Sequence, residues 1–265
     1  MAIRKSLTIA GSDSGAGAGI QADLKTFAAH GVYGTSAITA ITAQNTVGVS
    51  AVLALSPKLV EAQIDAIMDD IGTHAVKTGM LANAAIIDLV ARKIAEHRMK
   101  NVVVDPVMVA TSGDLLIQKS AVMVLRRKLI PLATIVTPNI PEAEVLTGMK
   151  LRTAEEIREA ARRIINMGAR TVVVKGGHLK DSAMDLFFDG RMFTTLNAPR
   201  IRTSNTHGTG CTLSAAIAAN LANRQNIASA VANAKRYITD ALRYSYRIGS
   251  GHGPVHHFFR YWKDR

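Results

Sequence analysis

Two glycine-rich segments carry residue types that handle small anionic ligands. The first, Gly11-Ser12-Asp13-Ser14-Gly15-Ala16-Gly17-Ala18-Gly19, repeats glycine at alternate positions near its end. No Gly-Lys-Ser/Thr triplet follows, so it is not a Walker loop, and its G-x-G-x-G spacing is not the dinucleotide fingerprint. It serves either as a flexible turn or as a loop whose backbone approaches a small ligand. The second, Asn205-Thr206-His207-Gly208-Thr209-Gly210-Cys211-Thr212, runs into the apolar helical stretch LSAAIAANLA. Backbone N–H groups at such a helix start are unpaired and lie at the positive end of the dipole, which makes an anion site. Cys211 falls in that first turn, where the dipole favours the thiolate and lowers its pKa unless the surroundings are apolar. It reads as a base, or else as a small buried packing residue. His207 beside it either tunes the anion site or is a plain turn residue.

These segments must be positioned by a scaffold, and the sequence shows its pattern. Apolar, β-branched runs at Leu7 to Ala10, Ser36 to Thr42, Ala75 to Thr78, Val102 to Val107, Thr134 to Thr137 and Thr171 to Lys175 predict strands. Between them, helical periodicity runs over Ala18 to His30, Pro57 to Asp70, Ala82 to His97, Ser120 to Leu129 and Thr153 to Met167. Runs such as VVVD and TVVVK are apolar on both faces, as in central strands of a mostly parallel sheet covered by helices. The expectation is an α/β fold, a three-layer α/β/α sandwich. Asp185 to Phe188 and Met192 to Thr195, joined by Asp189-Gly190-Arg191, predict an antiparallel hairpin closing one sheet edge. Helices Thr209 to Ala222 and Ile227 to Tyr244 follow. No repeat or Pro/Ser-rich linker marks a second domain, so residues 1–265 are expected to be one domain.

In open α/β sheets, ligands sit beyond the carboxyl ends of the strands. Those ends read Gly11 to Gly19, Gln44-Asn45-Thr46, Gly79-Met80, Asp105-Pro106-Val107-Met108, Thr137-Pro138-Asn139 and Lys175-Gly176-Gly177-His178. Glycine and polar chemistry thus gather on one rim.

Composition narrows the class. With 48% apolar and 20% charged residues in 265, the chain can bury a sizeable core and is not a disordered tail. No apolar run approaches the roughly 20 residues of a bilayer span. The single cysteine excludes an internal disulfide, so a reducing, cytoplasmic home is expected. Thirty-two Lys+Arg against 20 Asp+Glu give +12, an excess that favours phosphates, nucleotides or nucleic acids. Arg126-Arg127-Lys128 and Arg162-Arg163 suggest nucleic-acid binding, but aromatics are only 5% and no reading module accompanies them. His252, His256 and His257 cluster near the tail without the Cys pairs or H-E-x-x-H of a zinc site.

Taken in order, AGSDSGAGAGIQADLKTF, AITAQNTVGV, VKTGML, DPVMVATSGDLLI, TPNIPEAEVLTG, VVVKGGH and THGTGCTLSAAIA resemble the hydroxymethylpyrimidine/phosphomethylpyrimidine kinases of thiamine biosynthesis, within the ribokinase-like superfamily. The stretches span nearly the whole chain. The resemblance implies two ATP-dependent steps, phosphorylation of the alcohol of 4-amino-5-hydroxymethyl-2-methylpyrimidine and then of the resulting monophosphate. It implies an anion hole at Gly208, Thr209 and Gly210 and places Cys211 where most of the superfamily has an Asp base. It assigns Gln44, Asp23, Gly11, Met80 and Val107 to the pyrimidine pocket. Asn139-Ile140-Pro141-Glu142 is similar to the superfamily's N-x-x-E motif, with Glu142 organising Mg²⁺ and Asp105 as a second member of that network, while Pro141 and Glu142 also suit the start of a helix. Lys175, Asn139 and Lys235 are expected near nucleotide phosphates, although a helix lysine such as Lys235 also suits a solvated face. A pyridoxal or pyridoxine kinase of the same fold is the alternative, and its cysteine-bearing members are expected to carry a second, lid cysteine that this chain lacks. A homodimer is implied by resemblance.

Overall fold

A computed structural model describes residues 3–108, 119–176 and 184–262. Among them nine strands form one sheet: β1 (Lys5–Asp13), β2 (Tyr33–Gln44), β3 (Val49–Ala54), β4 (Ala75–Thr78), β5 (Val102–Val104), β6 (Ile135–Val136), β7 (Val172–Val174), β8 (Asp185–Phe188) and β9 (Phe193–Leu196). Their order is β3-β2-β1-β4-β5-β6-β7-β8-β9. From β2 to β7 neighbours are parallel, whereas β3 and the β8–β9 hairpin pair antiparallel at the two edges. The predicted three-layer α/β/α sandwich and its edge hairpin are therefore present.

The helices are α1 (Gly19–Ala29), α2 (Pro57–Asp70), α3 (Ala84–Glu96), α4 (Lys119–Val124), α5 (Ile140–Thr147), α6 (Ala154–Asn166), α7 (Thr209–Ala222) and α8 (Ile227–Arg243). Alternation along the strands divides the core. Val102, Val104, Val172 and Val174 pack toward α2 to α6, while Val103 and Val173 face α1, α7 and α8. Both faces are apolar because both are covered, which is what continuous valine runs signify.

Three local differences from expectation have physical reasons. The strand predicted over Val102 to Val107 stops at Val104, because Asp105 precedes Pro106 and Pro supplies no ladder donor. The helix predicted over Ser120 to Leu129 is α-helical only to Val124 and widens into a π turn, Leu125–Leu129, ahead of Pro131. Strand β3 was not predicted, since all six of its residues are exposed and it has no buried face to pattern.

Candidate active site

The strand ends converge on one rim, and the two glycine-rich loops interlock there. Asp13, at the end of β1, accepts hydrogen bonds from the Gly15, Gly17 and Ala18 N–H groups at 2.8, 3.1 and 2.8 Å. Its Oδ2 also lies 2.8 Å from His207 Nε2. Burial opposes ionisation of Asp13, but His207 and the loop N–H groups outweigh it and hold the carboxyl below its usual range. The contact requires glycine on both sides. A Cβ on Gly208, whose φ is +77°, would meet the Gly17 oxygen at 1.8 Å, and one on Gly17 would meet His207 at 2.3 Å. His207 thus joins the two loops rather than acting as a plain turn residue.

Gly208 caps α7 without a side-chain acceptor. The Gly210 and Cys211 N–H groups consequently have no intrahelical acceptor, and the start of α7 is open to an anion. Thr209 is turned away, its Oγ1 donating to the Thr206 carbonyl at 2.6 Å. Lys175, at the end of β7, brings a cation to the same place. Its Nζ is 3.2 Å from where a Gly210 Cβ would sit. It is also 2.9 Å from Asp105 Oδ1 and 3.8 Å from Glu142 Oε2. Burial works against this ammonium, yet Asp105 and Glu142 push its pKa up to about 12.

Asp105 is enclosed, and Lys175 and Lys77 hold it ionised against burial. Thr137 Oγ1 donates to it at 3.2 Å and is itself 2.9 Å from Ser214 Oγ on α7. Glu142 belongs to a capping box, exchanging 2.8 Å bonds with the backbone and side chain of Asn139. Both readings of the N-x-x-E segment therefore meet in α5. Burial pushes Glu142 up to about 7, with Asp105 adding to the effect and Lys175 opposing it.

The residues assigned to the pyrimidine lie at or just beyond the ends of β1, β2, β4 and β5 on the same rim, Asp23 of α1 excepted. Gln44 closes β2, its Oε1 accepting from Thr42 Oγ1 at 3.2 Å and its Nε2 lying 3.4 Å from His207 Nε2. Gly11 faces Met80, whose Cε would be 2.6 Å from a Cβ there. Thr39 Oγ1 fixes the Met80 carbonyl at 2.6 Å. Val107 is half-buried beside Asp105.

Three expectations change. Cys211 is not a thiol that the helix start lowers: burial holds it above its ordinary value, Lys77 opposing and Asp23 and Asp105 raising it further. Asp23 does not present itself to the pocket but is fully buried, bound to Lys77 at 2.9 Å and Thr8 at 2.6 Å. The Lys235 ammonium, expected near a phosphate, is paired with Asp185 at 2.7 Å. Asp185 in turn accepts the Gly176 N–H at 3.0 Å, so Lys235 braces the backbone directly after Lys175. The tail histidines go to separate partners, His257 to Thr212 and His252 to the Ser204 carbonyl. Gly177 and His178, which follow Lys175 and Gly176 in the sequence, and residues 109–117 of the matching DPVMVATSGDLLI stretch, lie outside the described residues.

Sequence reasoning missed Lys77 and the role of Asp13. Lys77 had a signal, since a lysine within the apolar strand Ala75–Thr78 must be buried and paired. Asp13 had none beyond its place among the glycines.

Known proteins bear on this rim. Residues 13–256 match the phosphomethylpyrimidine kinase family. The hydroxymethylpyrimidine/phosphomethylpyrimidine kinase of Rhizobium meliloti is 55% identical over 262 residues, covering 97% of this chain and 98% of that one. The thiamine biosynthesis bifunctional protein ThiED of Geobacter sulfurreducens is 54% identical over 252 residues, and this chain spans about half its length, 51%. Among solved structures, the ADP complex of Bacillus subtilis pyridoxal kinase superposes with a TM-score of 0.91 at 42% identity, covering 97% of this chain and 98% of that one.

Proposed function

The chain belongs to the phosphomethylpyrimidine kinase family, and from that premise we propose that it transfers the γ-phosphoryl group of ATP to the alcohol of 4-amino-5-hydroxymethyl-2-methylpyrimidine and then phosphorylates the monophosphate. One arrangement carries this reading. The open start of α7, the Lys175 ammonium and Cys211 meet within one helical turn, on the rim that also carries Gln44, Gly11 and Met80 at or just beyond the ends of β2, β1 and β4.

Phosphoryl transfer depends on position and charge rather than covalent chemistry. The Gln44 amide can both donate to and accept from an aminopyrimidine edge, which orients the ring and its hydroxymethyl group. The Gly210 and Cys211 N–H groups and Lys175 receive the charge of the transferring group. Cys211 takes the alcohol proton as the new O–P bond forms. In the second step the acceptor is a phosphate oxygen, already ionised near neutral pH, so the demand on Cys211 falls.

Asp105 and Glu142 fit Mg²⁺: they are hard oxygen donors, few in number, beside the cation that faces the phosphates, as suits an ion that keeps several waters. Mg²⁺ bound there would neutralise phosphate charge. We also propose a single domain, a cytoplasmic location and a homodimer. No helix among the described residues is long and apolar enough to cross a membrane. The edge strand β3 leaves Val49, Val52 and Leu53 at 52, 58 and 65% exposure, which supports a covering protomer. Light scattering that returns only the single-chain mass would remove the dimer.

The substrate is tested by incubating the protein with Mg-ATP and the hydroxymethylpyrimidine, with pyridoxal in parallel, and following products by mass spectrometry. Pyrimidine monophosphate followed by diphosphate is expected. Pyridoxal phosphate alone would reassign the substrate.

A further inference from the structure

The Gln44 side chain sits between two groups whose hydrogens decide which way its amide faces. Its backbone is pinned to Ser14, whose Oγ donates to the Gln44 carbonyl and accepts the Gln44 N–H, each at 2.7 Å. At the amide, Oε1 stands 3.2 Å from Thr42 Oγ1 and Nε2 stands 3.4 Å from His207 Nε2. The oxygen and nitrogen of an amide are nearly isosteric, so the donors and acceptors around them settle the orientation.

Thr42 has one hydroxyl proton, and the Ser12 carbonyl, 2.9 Å away, takes it. Toward Gln44 the hydroxyl is left with lone pairs, which call for an N–H. His207 Nε2 lies 2.8 Å from Asp13 Oδ2, an oxygen that already accepts the Gly17 and Ala18 N–H groups. A carboxylate oxygen has no proton to give, so Nε2 carries the hydrogen. Toward Gln44 that N–H calls for an oxygen. Oε1 against the Thr42 lone pairs and the amide NH₂ against the His207 N–H are both mismatched. A half-turn of the amide corrects the two contacts together and moves no backbone atom.

We propose that His207, oriented by Asp13, is a positioning residue that sets the polarity of the Gln44 amide, with the carbonyl toward His207 and the NH₂ toward Thr42. The inference rests on Gln44 reading the aminopyrimidine edge. That edge offers a donor at the 4-amino group and an acceptor at the neighbouring ring nitrogen. Pairing them with the amide's remaining lone pair and N–H sends the amino group to the His207 side. The hydroxymethyl group stands on the ring carbon next to the one bearing the amino group, so it is carried to that side too, where Gly208 caps α7. The reverse amide would turn the alcohol away from the helix start.

Neutron diffraction from deuterium-exchanged crystals of the ligand-free protein reads the amide and ring deuterons directly, whatever the substrate. Deuterium on His207 Nε2 and the Gln44 ND₂ group against Thr42 are expected, and an ND₂ group facing His207 overturns the proposal. The consequence is tested with the 4-oxo analogue of the pyrimidine, whose ring nitrogen carries a hydrogen, so that its edge reverses donor and acceptor. In kcat/KM, wild type is expected to favour the amino compound by about 10²-fold or more. His207→Phe keeps a ring and removes the N–H, which lets the amide turn to suit either edge. The preference is then expected to fall by about tenfold or more. Loosened loops would slow both alcohols alike, so an unchanged preference in a folded His207→Phe also overturns the proposal. Turnover of neither pyrimidine by wild type would defeat the substrate reading alone, because the neutron map decides the amide by itself.

Discussion

Asp13 and His207 stand 194 residues apart in sequence and 2.8 Å apart in space, and their contact locks the glycine loop of β1 onto the loop that starts α7. The loop that follows β1 and the start of α7 are thereby held in one register. Asp13→Ala orphans three loop N–H groups and His207, and is expected to lower stability by about 2–4 kcal/mol in urea denaturation. The pH dependence has a definite sign. The folded carboxyl titrates below the unfolded one, so its contribution is complete above the ordinary carboxylate range near about 4 and is lost as pH falls through the lower folded value. Wild type should lose stability relative to Asp13→Ala over that acid interval, and parallel curves would count against the assignment.

Gly208→Ala tests the interlock from the other side. A Cβ at 1.8 Å from the Gly17 oxygen cannot be accommodated without moving one loop, and the left-handed backbone adds strain. Turnover is expected to fall by about tenfold or more, as small misplacements do in positioning-dependent catalysis. Normal steady-state kinetics in this variant would show that the two loops need not stay in contact.

Much of the fold was legible because valine runs such as Val102–Val104 declare two covered faces, and because Asp189 turns a hairpin by accepting from the Arg191 and Met192 N–H groups. β3 was not, although Asn45 makes the turn into it by accepting from Val47 and Gly48. The site was legible as segments and not as pairs. Lys77 meets Asp23 across 54 residues and Lys175 meets Asp105 across 70, so no local spacing encodes either contact. The state of Cys211 stayed open between an activated thiol and a buried one for the same reason: a helix start is visible in sequence, whereas the packing that buries the thiol comes from other elements.

Lys175→Met removes the cation between α7 and the Asp105–Glu142 pair, leaving two buried carboxylates together. The turnover number should drop by about 10²–10³, the effect of losing one preorganised charge at a reacting phosphoryl group. Steady-state rates near wild type would exclude Lys175 from the transfer.

Gln44→Ala should reduce the preference for the pyrimidine over pyridoxal while leaving nucleotide affinity nearly intact, because an amide that satisfies a ring edge discriminates by what it leaves unpaired. Competition assays with both alcohols measure this directly. An unchanged preference would remove Gln44 from recognition.

The two phosphorylations supply an internal control for Cys211, since only the first has an alcohol proton to remove. In Cys211→Ala, rates measured separately on the hydroxymethylpyrimidine and on its monophosphate, with melting temperature as a check on folding, give the most direct test. The expected result is a loss of about 10²–10⁴ in the first step, the span of general base catalysis, with a much smaller loss in the second. Equal losses in both steps, or wild-type turnover of the alcohol, would contradict the assignment of Cys211 as the proton acceptor.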